Sequence, residues 1–205
     1  NCQTSQAMAI YYNIFEPAER KAAFEQLINL IEEQEYHLDV GVLGGRVLFH
    51  VLTDFGYSDL AFSMITRPDY PSYGNWIARG ATTLWEVFQP EGSDRIGSLN
   101  HHFWGDISSW FTQALSGIRM APHGEPNEVD FRPSFISRLT HAEAFHIAPA
   151  GRIASAWERD EDDVIVLTVE LPSTMHGVIR VESGYVFEDG LAYKAAESGT
   201  YRIHS

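Results

Sequence analysis

The sequence predicts a multi-domain α and β chain, with helices in residues 1–119 and an antiparallel β-sandwich in residues 120–205. In the first part, apolar residues recur every three or four positions, as in helices with one buried face. In the second part, apolar and polar residues alternate in short runs, and Gly, Pro, Asp and Ser clusters separate these runs about every ten residues. This change of period places the domain boundary near residue 120.

Three amphipathic helices are predicted in the first part. One covers residues 16–34 and has Pro17 in its first turn, where proline is tolerated. The next covers residues 44–56 and ends on a glycine, and a short third helix covers residues 57–65. The apolar stripes are Phe24, Leu27, Ile28 and Ile31 in the first of these helices, and Val47, Leu48, Val51, Leu52 and Phe55 in the second.

Two segments of different character follow. Residues 67–97 lack a helical period, and irregular segments of this length inside a compact domain are usually functional. Residues 98–118 predict a helix with one ordinary apolar face and one small, polar face. The polar face suits either solvent or a polar cavity, and its lack of Lys, Arg and Glu favours the cavity. Its members are His101, Gly105, Ser108 and Thr112.

The β part rests on four runs that favour strands. They lie in residues 151–160, 163–172, 175–184 and 199–205, each bounded by turn-forming residues. Such closely spaced short strands are typical of a sandwich of two sheets.

Composition excludes several classes of partner. The net charge of -14 argues against nucleic acid, because phosphate backbones attract basic surfaces. No apolar run approaches the roughly 20 residues that a membrane helix needs. The single cysteine, Cys2, excludes an internal disulfide and a cysteine-based zinc site. A neutral ligand is compatible with this composition, which does not distinguish a cytoplasmic from an exported protein.

The segment "YPSYGNWIARGATTLWEVF", followed by "SLNHHFWG", resembles the late barrel region of bacterial α-L-rhamnosidases, glycoside hydrolase family 78. The upstream "GYSDLAFSMI" and the downstream "GRIASAWERDEDDVIVLTVELPSTMHGVIRV" are also similar to segments of this family. The resemblance covers nearly the whole chain. It implies the C-terminal part of an (α/α)6 catalytic barrel in residues 1–119, then the family's C-terminal β-sandwich.

The resemblance also implies roles for four residues. Glu86 matches the general base of a reaction that inverts the anomeric centre of a terminal rhamnose, and His101 matches a histidine on the next inner helix. Trp85 matches an aromatic wall for the sugar, and Tyr73 stands where the family has a second aromatic residue, Trp. An inverting glycosidase needs two carboxyl groups roughly 6.5 to 9.5 Å apart, one protonated and one activating water.

Residue patterns alone leave alternatives open at these positions. Period-two alternation around Glu86 also fits a strand residue that points to solvent, with Trp85 facing inward. His101 also fits a histidine satisfied at a helix terminus, and Tyr73 an aromatic anchor of the long loop. The spacing of the histidines predicts no metal site, and we expect no cofactor.

The chain is expected to be a fragment that carries the base but not the general acid, and to be inactive alone. Its first residues read as the middle of a helix, and the family's acidic segment belongs upstream. The expected partner is a carbohydrate, and exposed helix faces favour self-association. Besides a rhamnosidase, two other functions stay open: a barrel glycosidase for another sugar, suggested by Tyr73 and the Gly44-Gly45 pair, and a non-catalytic carbohydrate-binding module.

Overall fold

A computed structural model describes residues 2–93 and 97–205. It falls into two compact units, a helical unit up to Ser108 and a β unit from Ser109 onward. The predicted combination of helices followed by a β-sandwich is confirmed. The domain boundary predicted at 119/120 stays a prediction, since the compact units divide earlier in the chain.

Six α-helices and nine strands are found in the described residues. The helices are α1 (Gln3–Tyr11), α2 (Arg20–Glu33), α3 (Val42–Asp54), α4 (Ser58–Thr66), α5 (Tyr73–Ala78) and α6 (Ile107–Trp110), and a π-helical turn, Phe111–Leu115, follows α6. The strands are β1 (Ile118–Met120), β2 (Glu128–Phe131), β3 (His141–Ala148), β4 (Gly151–Arg159), β5 (Ile165–Glu170), β6 (His176–Arg180), β7 (Val186–Phe187), β8 (Tyr193–Ala195) and β9 (Gly199–His204).

The helical unit is built around the packing of α1 against α2 and α3. Gly44 allows the close approach of α1 and α3, because a Cβ there would lie 2.5 Å from Thr4 Oγ1. The predicted apolar stripes face this core: Phe24 of α2 is buried, and its ring stacks on Phe55 with centroids 4.0 Å apart. Gly56, at a φ of +83°, ends α3 in the left-handed conformation that glycine favours.

Two local predictions for the helical unit were wrong. The irregular segment contains α5, whose N-terminus Ser72 caps by accepting a hydrogen bond from the Asn75 N–H at 2.8 Å. The helix predicted from residue 98 begins only at Ile107. Ser98 and His101 instead form backbone hydrogen bonds with residues 86 and 84, so these backbone groups cannot form the hydrogen bonds of a helix.

The β unit contains two sheets. The five-stranded sheet has the order β3-β4-β5-β9-β7 and is antiparallel throughout. The four-stranded sheet has the order β1-β2-β6-β8, and its β2–β6 pair is parallel. Inward side chains from both sheets share one apolar core, which includes Phe131, Ile153, Trp157, Leu167 and Ile179. Among the described helices of the chain, none has the length and apolarity to span a bilayer.

Candidate active site

Glu86 lies in one of two loop segments, 84–86 and 98–101, that are joined by backbone hydrogen bonds. This pair of segments is called the ribbon below. The Glu86 N–H donates to the Ser98 carbonyl and the His101 N–H donates to the Leu84 carbonyl, both at 2.8 Å. Gly97 stands where a Cβ would lie 3.0 Å from Val87 Cγ2, so the second segment can approach closely. The ribbon therefore fixes Glu86 by backbone contacts that cross between two loops.

The carboxylate of Glu86 is held by the same ribbon. Its Oε2 atom accepts a hydrogen bond from the Ser98 N–H at 2.8 Å. Such a bond to a carboxylate is charge-assisted, and it fixes the orientation of the carboxylate. Sequence reasoning missed the backbone of Ser98 as a donor, because only the fold brings it to Glu86.

An aromatic cluster supports the ribbon. It holds the backbone of Glu86 through Trp104, whose Nε1–H donates to the Glu86 carbonyl at 2.9 Å. The Tyr73 hydroxyl in turn donates to the Trp104 carbonyl at 3.1 Å. The ring of Trp76 stacks on Phe88 with centroids 4.3 Å apart. One hydrogen bond from the Trp104 indole and one from the Tyr73 hydroxyl thus connect the loop before α6 and α5 to the segment of Glu86.

Gly45 of α3 explains how so large a ring fits there. A Cβ at this position would lie 2.4 Å from Trp104 Cζ3, so the ring of Trp104 occupies the space that a side chain would need. The Gly44-Gly45 pair therefore serves two contacts, one with α1 and one with Trp104.

Glu86 lines a cavity of about 530 Å³ within the helical unit. The cavity lies where α1 and α3 begin, and neither helix has an acidic residue in its first turn. Helix N-termini carry partial positive charge, which favours a negatively charged group nearby. The lining residues are Cys2, Thr4, Leu38, Asp39, Val40, Gly41, Val42, Tyr70, Pro71, Glu86, Val87, Phe88 and Trp104.

Trp85 and Tyr73, which were predicted to contact a sugar, are not among these lining residues. Trp85 is 9% exposed, packs on Trp76 at 6.0 Å and lies under the Arg79 guanidinium. Tyr73 is 7% exposed, and burial, with a smaller effect of Asp106, raises the pKa of its hydroxyl. Both side chains are buried beside residues that line the cavity, and their contact with a sugar stays a prediction. The aromatic lining comes instead from Tyr70, Phe88 and Trp104.

His101 is partly buried and lies at the end of the ribbon, not on a helix. Its Nδ1 accepts a hydrogen bond from the Phe103 N–H at 3.3 Å, and its ring lies parallel to that of His102 with centroids 5.2 Å apart. The backbone pairing places His101 three residues beyond Ser98, on the segment that holds Glu86. Backbone hydrogen bonds thus bring the segments of Glu86 and His101 together, and contact of His101 with a sugar stays a prediction.

Other candidates were missed because only the fold brings them to this cavity. Thr4 and Asp39 come from separate parts of the sequence and carry no local motif, and Tyr70 opens the segment that resembles the family but was not singled out. Within residues 2–93 and 97–205, no three His, Cys, Asp or Glu side chains form a group suited to a metal ion.

The fold and the site together define a class of protein. Helical hairpins that hold a carboxylate in a cavity, followed by a β-sandwich, are the architecture of a helical-barrel glycosidase with a C-terminal β domain. Residues 1–115 match the bacterial alpha-L-rhamnosidase 6 hairpin glycosidase domain, and residues 127–184 match the bacterial alpha-L-rhamnosidase C-terminal domain. The chain belongs to the bacterial alpha-L-rhamnosidase family.

Relatives of established name agree with this membership. The chain is 29% identical to an alpha-L-rhamnosidase of Streptomyces avermitilis, an alignment that covers 98% of this chain and 21% of the relative. It is 31% identical to one of Alteromonas sp. strain LOR, over 98% of this chain and 23% of the relative. It is 32% identical to one of Formosa agariphila, over 84% of this chain and 19% of the relative. The chain therefore spans about a fifth of the length of these relatives.

Solved structures show the same similarity. An alpha-L-rhamnosidase from Dictyoglumus thermophilum is 26% identical, with a TM-score of 0.85 over 99% of this chain and 25% of that chain. The Streptomyces avermitilis alpha-L-rhamnosidase complexed with L-rhamnose is 28% identical, with a TM-score of 0.85 over 98% of this chain and 21% of that chain.

Proposed function

We propose that this chain supplies the general base, Glu86, to an inverting glycoside hydrolase that removes terminal α-L-rhamnose from glycosides or polysaccharides. The observation that carries the proposal is the position of Glu86. Its carboxylate lines a cavity of about 530 Å³ and is oriented by the Ser98 N–H. The relatives named above are alpha-L-rhamnosidases, and one of them was crystallised with L-rhamnose.

In the proposed reaction, Glu86 removes a proton from a water molecule as that water attacks the anomeric carbon. The bond from this carbon to the glycosidic oxygen breaks, and a general acid protonates the departing oxygen. Among the described residues, Ser98 binds Oε2 of Glu86, so we place the water at the other oxygen, Oε1. Rigid orientation of the base matters, because catalysis by proton transfer requires hydrogen-bond geometry with the water.

The walls of the cavity suit a 6-deoxysugar. The side chains of Pro71, Val87 and Phe88 offer an apolar surface for the sugar's methyl group and C–H face. Thr4 and Asp39 provide a hydroxyl and a carboxylate that can bond ring hydroxyls. We propose rhamnose as the sugar on this ground and on the names of the relatives.

The central test is Glu86→Gln in the full-length protein. The amide keeps the shape of the side chain but cannot accept the proton, so kcat on an aryl α-L-rhamnoside should fall about 100-fold or more. Glu91→Gln, an exposed carboxylate of the same loop, is the matched control and should leave kcat unchanged. If kcat survives Glu86→Gln and only affinity weakens, Glu86 is a binding residue and the non-catalytic function is favoured.

The general acid is proposed to come from outside this chain. The isolated chain should then show no turnover comparable to that of a full-length enzyme. Asp39 is a second carboxylate on the wall of the same cavity, so Asp39→Asn is the decisive variant. A loss of kcat as large as that of Glu86→Gln, accompanied by a shifted pH profile, would contradict an external acid.

Two measurements test the stereochemistry and the sugar. Proton NMR of the first product should show β-L-rhamnose before mutarotation, since inversion changes the anomeric configuration. A set of aryl glycosides should show the highest kcat/KM for α-L-rhamnoside. A higher value for another sugar would favour the alternative barrel glycosidase.

Self-association is a further part of the proposal. Ile14 and Ile77 of the helical unit are largely exposed although both are apolar, and we propose that such residues contact a second copy of the protein. Light scattering of the protein should give a mass above that of one chain, and a monomeric mass would contradict this part.

A further inference from the structure

A second cavity, of about 400 Å³, opens beside the first within the helical unit. The two cavities share Val42, in the first turn of α3, and the second is bounded on its other side by the loop before α6. Cavities of about 300–1,000 Å³ are the size that holds small ligands. The lining residues are Val42, Leu43, Arg46, His102, Phe103 and Asp106.

The polar wall of this second cavity presents a donor and an acceptor together. The Asp106 carboxylate uses Oδ2 for His50 Nε2 at 3.2 Å, which leaves Oδ1 for a ligand. Arg46 lies one turn before His50 on α3, and it is exposed. Within the described part of the chain, Arg46 forms neither a hydrogen bond nor an ion pair. The formal charges of Arg46 and Asp106 cancel, which favours a neutral ligand that both donates and accepts.

The apolar wall is also accessible. Leu43 is 57% exposed and Phe103 is 47% exposed, although both are apolar. An exposed aromatic ring beside a charged donor and a charged acceptor is a combination that fits a sugar. Its C–H face packs on the ring, and its hydroxyl groups bond the charged side chains.

The second cavity is adjacent to the candidate active site through two contacts. The ring of His102 lies parallel to His101, and the ring of Phe103 meets His101 edge to face with centroids 4.0 Å apart. His101 in turn belongs to the ribbon that holds Glu86. Because the two cavities share Val42, a ligand that extends past Val42 from the first cavity would reach the second.

We propose that the second cavity is a subsite for a neutral hydroxylated group, the sugar unit next to the one held at Glu86. Arg46 and Asp106 bind its hydroxyl groups, and Phe103 packs against its ring. The subsite sets the preference for substrates of more than one sugar. This inference rests on the proposed glycosidase function and deepens it.

The test compares two substrates in the full-length protein. One is an aryl α-L-rhamnoside, which has no second sugar, and the other is a disaccharide with terminal α-L-rhamnose on a neutral sugar. Arg46→Met and Asp106→Asn should each lower kcat/KM for the disaccharide about tenfold, since each removes a charge-assisted hydrogen bond. For the aryl rhamnoside the change should stay within about twofold. The loss should appear mainly in KM.

Two control variants match the charge changes. Lys21→Met and Glu25→Gln remove the same charges from an exposed pair on α2, and both should leave the two substrates unaffected. Arg46→Met is the primary variant, because Arg46 is exposed and its loss breaks no hydrogen bond or ion pair of the described residues. A loss that is equal for both substrates, or absent for the disaccharide, would overturn the subsite.

Failure of the proposed function gives a different result. In that case the wild-type protein hydrolyses neither substrate, and binding of the disaccharide is measured by calorimetry instead. Weaker binding by Arg46→Met than by Lys21→Met would still support a sugar site in the second cavity. Equal affinity of the two variants, or no binding by the wild-type protein, would overturn it.

Discussion

The helical unit and the β unit satisfy the hydrogen-bonding groups of their backbones in different ways. In the β unit, two hydrogen-bonded sheets satisfy their own backbone, so their inward side chains can form an apolar core. In the helical unit, loops between helices carry the site and have no such ladder. Some of their backbone groups are bonded by buried side chains, such as the His37 carbonyl by Gln3 at 2.9 Å and the Glu86 carbonyl by Trp104 at 2.9 Å.

This difference separates stability from site geometry. The β unit depends on buried apolar volume spread over many residues, and a change there affects unfolding. The loops of the helical unit depend on a few hydrogen bonds, and we expect the loss of one of them to shift Glu86. The variants below are ordered by the size of the expected effect.

The largest effect is expected from Trp157→Ala in the sandwich core. Trp157 is almost fully buried, and its indole N–H also donates to the Leu115 carbonyl at 2.7 Å. Loss of the ring should lower the free energy of unfolding by about 3–5 kcal/mol. Chemical denaturation measures this, with Leu191→Ala, at a half-exposed position of the same unit, as the control. A change below about 1 kcal/mol would show that the core does not depend on this ring.

The next effect is expected from Trp104→Phe, which removes the hydrogen bond to Glu86. A buried carbonyl left without a donor costs about 1–3 kcal/mol, and kcat should fall with stability. Trp76→Phe is a matched control, because the Trp76 indole N–H is buried without a hydrogen-bond partner in the described structure. Both variants lose the same ring area, so their difference reports the hydrogen bond. Equal effects of the two on kcat would contradict its role in holding Glu86.

A smaller effect is expected from Gly45→Ala. The new Cβ would meet the Trp104 ring, and overpacking typically costs about 1–3 kcal/mol. The better helix propensity of alanine offsets up to about 1 kcal/mol of this. We expect a net destabilisation of about 1 kcal/mol and a lower kcat. Combining Gly45→Ala with Trp104→Phe should give a non-additive change, because the two residues are in contact. Simple additivity would show that the contact carries no energy.

The smallest effect is expected from Asp69→Asn and depends on pH. Hydrogen bonds from Arg67, and then from His37, hold the pKa of Asp69 well below its ordinary value. A lowered folded-state pKa stabilises the fold above the unfolded-state value of about 4, and this contribution is lost as pH falls toward the folded-state pKa. Thermal unfolding should therefore show a small loss of Tm at pH 6 that shrinks below about pH 4. A difference that stays constant down to pH 2 would contradict this linkage. Glu25→Gln is the control.

Much of the architecture could be predicted because it is local. The stripe of Phe24 and Leu27 at helical spacing and the alternating run of β4 and β5 depend on neighbours a few positions away. The helix predicted from residue 98 failed because Ser98 and His101 bond to residues 84–86, a partner that no local pattern identifies. The parallel β2–β6 pair joins strands distant in sequence and was missed for the same reason.

The sequence by itself determined that helices precede a β-sandwich, the family, and Glu86 as the candidate base, since all of these rest on short-range pattern and motif. Only the tertiary structure decided that Trp85 and Tyr73 are buried, that Ser98 orients Glu86, and that Arg46 and Asp106 share a cavity. The physical reason is that a side chain's environment depends on which distant segments pack around it. Periodicity along the chain reports one buried face but not the residues that bury it.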